Sequence, residues 1–129
     1  MDLADLVAAA RAARDHAYCP YSNFAVGAAV ATSDGTVFTG VNVENASYGL
    51  TICAERVALS AAVAAGHRTF AALAIASPRG ASCCGACRQF IREFATSLPI
   101  YLAAAEGDWS ETDIADLLPE SFGPDDLDA

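Results

Sequence analysis

Apolar positions recur with a helical period at the start of the chain, where Leu3, Leu6, Val7 and Ala10 share one face and Asp2 can serve as N-cap. The spacing predicts a helix over residues 3 to 14, broken by Tyr18-Cys19-Pro20-Tyr21-Ser22-Asn23. The period then changes. Phe24 to Ala31 reads as a strand of small residues, Ser33-Asp34-Gly35 as a hairpin turn, and Thr36 to Glu44 as the returning strand. On that second strand the two-residue repeat puts Asn42 and Glu44 on one face, Val41 and Val43 on the other.

A loop containing Tyr48-Gly49 leads into an alanine-rich apolar helix from Cys53 to Ala65, closed by Gly66 and expected to be buried on more than one side. The near-continuous apolar run Phe70 to Ser77 predicts a central strand covered on both faces. After the turn Pro78-Arg79-Gly80, a helix is expected from about Gly85 to Ala95, packing through Phe90, Ile91 and Phe94. Pro99 to Ala103 reads as a further strand, Trp109 to Thr112 as a short edge strand, and Ile114 to Leu118 as a brief helix. This order, without repeats or linkers, predicts one domain over residues 1–129: a three-layer α/β/α sandwich with a mixed five-stranded sheet. Strand order does not follow from the pattern.

Composition narrows the function. Sixteen acidic against seven basic residues give a net charge of −9, and no basic cluster is present to track a phosphate backbone, so nucleic acid is not the expected ligand. No apolar run reaches transmembrane length, and the acidic, alanine-rich start is not that of a secretory signal. Five cysteines, an odd number, fit reduced thiols in the cytoplasm better than a disulfide framework.

Those thiols carry the chemistry. Cys84-Gly85-Ala86-Cys87 has a spacing that lets two thiolates share a tetrahedral zinc ion, and Cys53, with Glu55 two residues on, supplies a third sulfur. Three protein ligands leave a coordination position open, as in catalytic sites; a structural site would close it with a fourth. Cys83 is the nearest spare thiol, but adjacent cysteines are poorly placed to hold one ion together. Cys53 and Glu55 diverge on the side of a helix, so both reach a metal only if it lies in front of the first turn. There the positive helix end favours thiolates.

With these motifs the chain resembles the small, zinc-dependent, homotetrameric cytidine deaminases of pyrimidine salvage. The matching segments are Tyr18-Cys19-Pro20-Tyr21-Ser22, Val26-Gly27-Ala28, Gly40 to Thr51, Cys53-Ala54-Glu55-Arg56, Cys84 to Gln89, and Leu117 to Gly123. One departure is Cys83, where the family usually has proline. The resemblance implies hydrolytic deamination of cytidine and deoxycytidine to uridine and deoxyuridine, with release of ammonia. It implies one zinc ion per subunit on Cys53, Cys84 and Cys87, and Glu55 as catalytic proton shuttle. Zinc with three thiolates is net negative, and Arg56 is expected to offset that charge by donating to the ligand sulfurs.

By the same resemblance, Asn42 and Glu44 hold the ribose 3′-hydroxyl, Phe24 lines the base pocket, and Ala54 also binds substrate. Ala46, Tyr48 and Phe122 reach a neighbouring subunit's pocket, so the active sites of the homotetramer are shared. The intact Asn42-Val43-Glu44-Asn45 stretch, suited to an unmodified ribose, argues against the related deaminases of blasticidin-type antibiotics. A neutral nucleoside also needs few basic groups, in keeping with the acidic chain. No membrane and no nucleic acid is an expected partner.

Overall fold

The structure is a computed structural model and describes residues 2–127. Helix α1 spans Leu3–Ala13, and Asp2 caps it as expected, its Oδ1 accepting from Ala4 N at 3.2 Å. Strands β1 (Gly27–Thr32) and β2 (Val37–Val41) form a hairpin, helix α2 covers Ala54–Ala64, and β3 runs Phe70–Ala76. Helix α3 (Gly85–Arg92), β4 (Pro99–Ala103), β5 (Trp109–Asp113) and α4 (Ile114–Leu117) complete the main elements.

The five strands make one mixed sheet in the order β2-β1-β3-β4-β5, parallel only between β3 and β4. Alternate residues sort onto two cores. Ala29, Ala31, Ala74, Ala76, Tyr101 and Ala103 meet Leu6, Val7 and Ala10 of α1 on one face. On the other, Ala28, Val30, Leu73, Ile75 and Ile100 meet Leu59 of α2 and Ile91 of α3. All six residues of β1 and the last five of β3 are buried. The predicted central strand is therefore covered on both sides, in the predicted three layers.

Small residues let these layers approach closely. A Cβ on Gly40 of β2 would overlap Ala58 N and lie 2.6 Å from Ala54 O, both on α2. Glycine there permits α2 to rest directly on the strand backbone.

Four elements differ from expectation. The first strand begins at Gly27 rather than Phe24, because the Phe24–Val26 backbone bonds to the Asn42 side chain: Val26 N donates to Oδ1 at 2.9 Å and Nδ2 donates to Phe24 O at 2.7 Å. Its partner ends at Val41, leaving Val43 in isolated bridges to Tyr18 and Ile52. Helix α3 stops at Arg92, where its exit tightens as Phe94 N bonds to Ile91 O at 3.0 Å. Helix α2 buries one face, through Ala54, Glu55, Ala58, Leu59 and Ala62, whereas Ser60, Ala61 and Ala64 remain exposed. Among the described residues no helix is long and apolar enough to cross a membrane.

Candidate active site

Helices α2 and α3 point their N-termini at one place. Cys53 is the N-cap of α2 and Cys84 that of α3, with Cys87 in the first turn of α3. Neither N-cap sulfur caps the backbone N–H groups of its own helix, so both are free to face a common centre. The ligand atoms of Cys53, Cys84 and Cys87 all lie within 4.8 Å of one another. Cys53 Sγ is 3.7 Å from Cys84 Sγ, which is 3.4 Å from Cys87 Sγ. Sulfurs around a tetrahedral zinc ion stand about 3.8 Å apart, given Zn–S bonds of about 2.3 Å.

The electrostatics suit the same ion. Hydrogen bonding from Cys87, aided by donation from Arg56 and Cys84, holds the Cys53 thiol down to about 5 against the opposing effect of burial. The bond to Cys53, then burial and the Glu55 charge, push Cys87 up. The cluster thus shares protons that a divalent cation would displace. Arg56 Nη2 donates to Cys53 Sγ at 3.5 Å, and Arg56 Nε is buried without a hydrogen-bond partner. An unpartnered cationic N–H beside three thiols fits a net-negative metal–thiolate centre. The donor set fits zinc.

Cys83 turns away from this cluster. It is buried in the core, and burial pushes its thiol up to about 12, so it remains a neutral, packed group.

Above the thiols lies a cavity of about 190 Å³ whose walls include Phe24, Asn42, Cys53, Ala54, Glu55 and Cys84. Glu55 is 4% exposed, and burial, reinforced by the nearby Cys53 charge, raises its carboxyl pKa. A carboxyl moved upward in a cleft is suited to accept and return a proton. The remaining wall includes Val26, Thr51, Ile75, Ser77, Ala81 and Ser82, which the sequence reading did not single out. Ser77 Oγ accepts from Gly80 N at 3.0 Å and Ala81 N at 2.8 Å, folding the turn that brings Ala81 and Ser82 to the rim. Its signal in the sequence is the turn-forming run Ser77-Pro78-Arg79-Gly80.

The other expected residues are more dispersed. Asn42 lines the cavity, but its amide also clamps the Phe24–Val26 backbone. Glu44 and Tyr48 line a second cavity, of about 360 Å³, which shares Thr51 with the first. Glu44 already accepts from Tyr21 N at 2.9 Å, Ser22 N at 3.2 Å and the Ser22 hydroxyl. The Ser22 bond, more than those of the backbone, lowers its pKa. Ala46, Tyr48 and Phe122 are exposed, and neither Ala46 nor Phe122 lines the chain's own cavities.

Comparison with known proteins matches this geometry. Residues 2–103 match the family model described as the cytidine and deoxycytidylate deaminase zinc-binding region. A cytidine deaminase of Sporosarcina psychrophila is 50% identical over 98% of this chain and 96% of its own. The crystal structure of cytidine deaminase from Burkholderia pseudomallei superimposes with a TM-score of 0.91 at 51% identity, covering 95% of this chain and 100% of that one. That of cytidine deaminase from Mycobacterium tuberculosis gives a TM-score of 0.83 at 41% identity, with 95% and 98% covered.

Proposed function

The chain belongs to the cytidine and deoxycytidylate deaminase family, and from that premise we propose that it is the salvage hydrolase converting cytidine and deoxycytidine to uridine and deoxyuridine, releasing ammonia. The observation that carries this reading is the placement of buried Glu55 in the wall of a cavity that Cys53 and Cys84, two members of the three-thiol cluster, also line. Residues 1–129 then form one deaminase domain, with one zinc ion per subunit on Cys53, Cys84 and Cys87. Thiols that must stay reduced to bind metal support a cytoplasmic setting.

Zinc held there supplies the Lewis acidity that readies water for addition to the base. Glu55 does the proton work. It takes a proton from the incoming water and delivers it to N3 as the new C4–O bond forms. It then moves a second proton to the exocyclic nitrogen, the C4–N bond breaks, and ammonia leaves. Arg56 stays charged beside Cys53, the thiolate bond itself raising its pKa, and offsets the surplus negative charge of the ligands.

The walls favour a neutral nucleoside over a nucleotide. Neither cavity is lined by a basic side chain among the described residues, and the outer one carries Glu44. Phe24 and Ala54 provide apolar surface for the base. Asn42 and Glu44 are assigned to the ribose, with hydrogen-bonding capacity left over from their loop contacts: one amide hydrogen on Asn42 and further lone pairs on both.

We assign the assembly to a homotetramer with shared sites. Tyr18, Val43 and Ile52 are linked by backbone bridges, Tyr21 and Tyr48 stack edge to face at 5.8 Å, and all five side chains are exposed. Exposed apolar side chains grouped in this way favour a partner surface, and Ala46, Tyr48 and Phe122 would reach a neighbouring pocket from such contacts.

The test is direct. Zinc-loaded protein incubated with cytidine or deoxycytidine should lose cytosine absorbance and release equimolar ammonia, and cytidine 5′-monophosphate should react far more slowly. Absence of turnover with both nucleosides at full zinc occupancy would sink the proposal. Light scattering of the purified protein tests the four-subunit mass.

A further inference from the structure

Helix α3 does more than present Cys87. Three of its side chains, Arg88, Gln89 and Arg92, close on one stretch of the C-terminal segment. Arg88 Nη1 donates to Leu117 O at 2.9 Å, Gln89 Nε2 to Phe122 O at 2.9 Å, and Arg92 Nε to Ser121 Oγ at 2.8 Å. The segment fits Arg92 closely. A Cβ on buried Gly123 would stand 2.5 to 2.7 Å from the guanidinium, which therefore lies against bare glycine backbone. Beyond it, Gly123 N donates to Asp126 Oδ2 at 2.8 Å and Asp126 N returns to Gly123 O at 3.0 Å.

Phe122 is thus fastened on both sides while its ring, 56% exposed, packs into neither of the two cavities described above. A C-terminal segment without such anchors would move freely and could not hold an aromatic ring in one place. Fixing the backbone in advance lowers the entropy lost when the ring meets its partner surface. The anchors also sit on the helix that carries Cys87, so the placement of Phe122 is tied to the metal-ligand helix of its own subunit.

We propose that Arg92 and Gln89 are positioning residues that hold Phe122 in register for a neighbouring subunit's pocket. The proposal rests on the shared-site reading above. It assigns specific work to two polar residues that line neither of the two cavities described above.

The test uses the zinc-loaded full chain with cytidine as substrate, measuring KM and kcat separately alongside assembly mass and zinc content. Phe122→Ala should raise KM. Arg92→Ala should also raise KM, by roughly fivefold or more, with kcat within about twofold, because the loss is in ground-state binding. The decisive variant combines them: once Phe122 is alanine, adding Arg92→Ala should raise KM no further. Gln89→Ala should behave as a weaker Arg92→Ala, and Arg92→Lys should recover part of the loss.

An equal extra rise in the double variant, or wild-type KM in both Arg92→Ala and Gln89→Ala, overturns the positioning role while leaving the shared site intact. Wild-type KM in Phe122→Ala overturns the shared site and this assignment together. Should Arg92→Ala fail to assemble, Ser121→Ala removes only the hydroxyl acceptor and serves in its place in the same comparison.

Discussion

Arg56 Nη2 lies 3.5 Å from Cys53 Sγ, and its Nε is buried with no partner at all. A guanidinium placed like this contributes charge more than structure. Removing it leaves the surplus negative charge of three thiolates uncompensated, which would weaken the activation of water by a zinc ion held there. Arg56→Gln should lower kcat by roughly 10- to 100-fold, the usual range for groups that support metal ligands, while zinc content measured by metal analysis stays near one per subunit. A variant that lost its zinc in proportion to activity would make Arg56 a structural support of the site instead.

Among the described residues Glu55 is the only carboxylate in the cavity wall, and burial raises its pKa. Glu55→Gln preserves its shape and removes its ability to carry protons. The expected fall in kcat is roughly 100- to 10,000-fold, at unchanged zinc content and with nucleoside binding retained, as shown by calorimetry. Substantial turnover in this variant would require a different proton carrier.

Much of this site was legible because its residues are local. Cys53 with Glu55, and Cys84 with Cys87, each belong to one helix start, and a metal in front of the first turn is the arrangement the spacing demanded. Three layers and five strands followed from hydrophobic period. What escaped was set by long-range pairing. The order β2-β1-β3-β4-β5 depends on which strand edges meet, which no single segment encodes. Asn42 and Glu44 were expected on the returning strand, which instead ends at Val41, and were assigned only to ligand, since the loop from Tyr21 to Val26 that they also hold is some twenty residues away in sequence. The exposed face of α2 likewise reads as buried in the sequence, where alanine carries no signal to separate a core from a subunit contact.

Asp34 offers a pH-dependent test away from the site. Its carboxylate accepts from the Thr32 and Thr36 hydroxyls and from Thr36 N, and these bonds, with a small contribution from His67, lower its pKa from 3.8 to about 2. A depressed folded-state value stabilises the fold above the unfolded pKa, and that stabilisation is lost as pH falls through the folded value. Asp34→Ala should therefore melt below wild type at pH 7, and the gap should narrow progressively between about pH 4 and pH 2. A gap that stayed constant across that range would assign the effect to turn geometry rather than to the charge.

Gly40 links the fold to the chemistry most directly. An added Cβ would meet Ala58 N and Ala54 O, pushing β2 away from the first turns of α2, where Glu55 and Cys53 are set. Backbone on both sides leaves no flexible side chain to give way, so Gly40→Ala should cost about 1–3 kcal/mol in urea unfolding. It should also lower the kcat of the folded, zinc-loaded enzyme. Gly27→Ala makes the matching test on the opposite face, where the clash is with Ala10 O and Arg14 N near α1. It should destabilise comparably but lower kcat less than Gly40→Ala, because the backbone it displaces carries neither Glu55 nor a thiol of the cluster. Equal losses of kcat in both variants would mean that strain spreads through the whole sheet. A loss confined to Gly40→Ala would show that the spacing between β2 and α2 is what holds Glu55 in place.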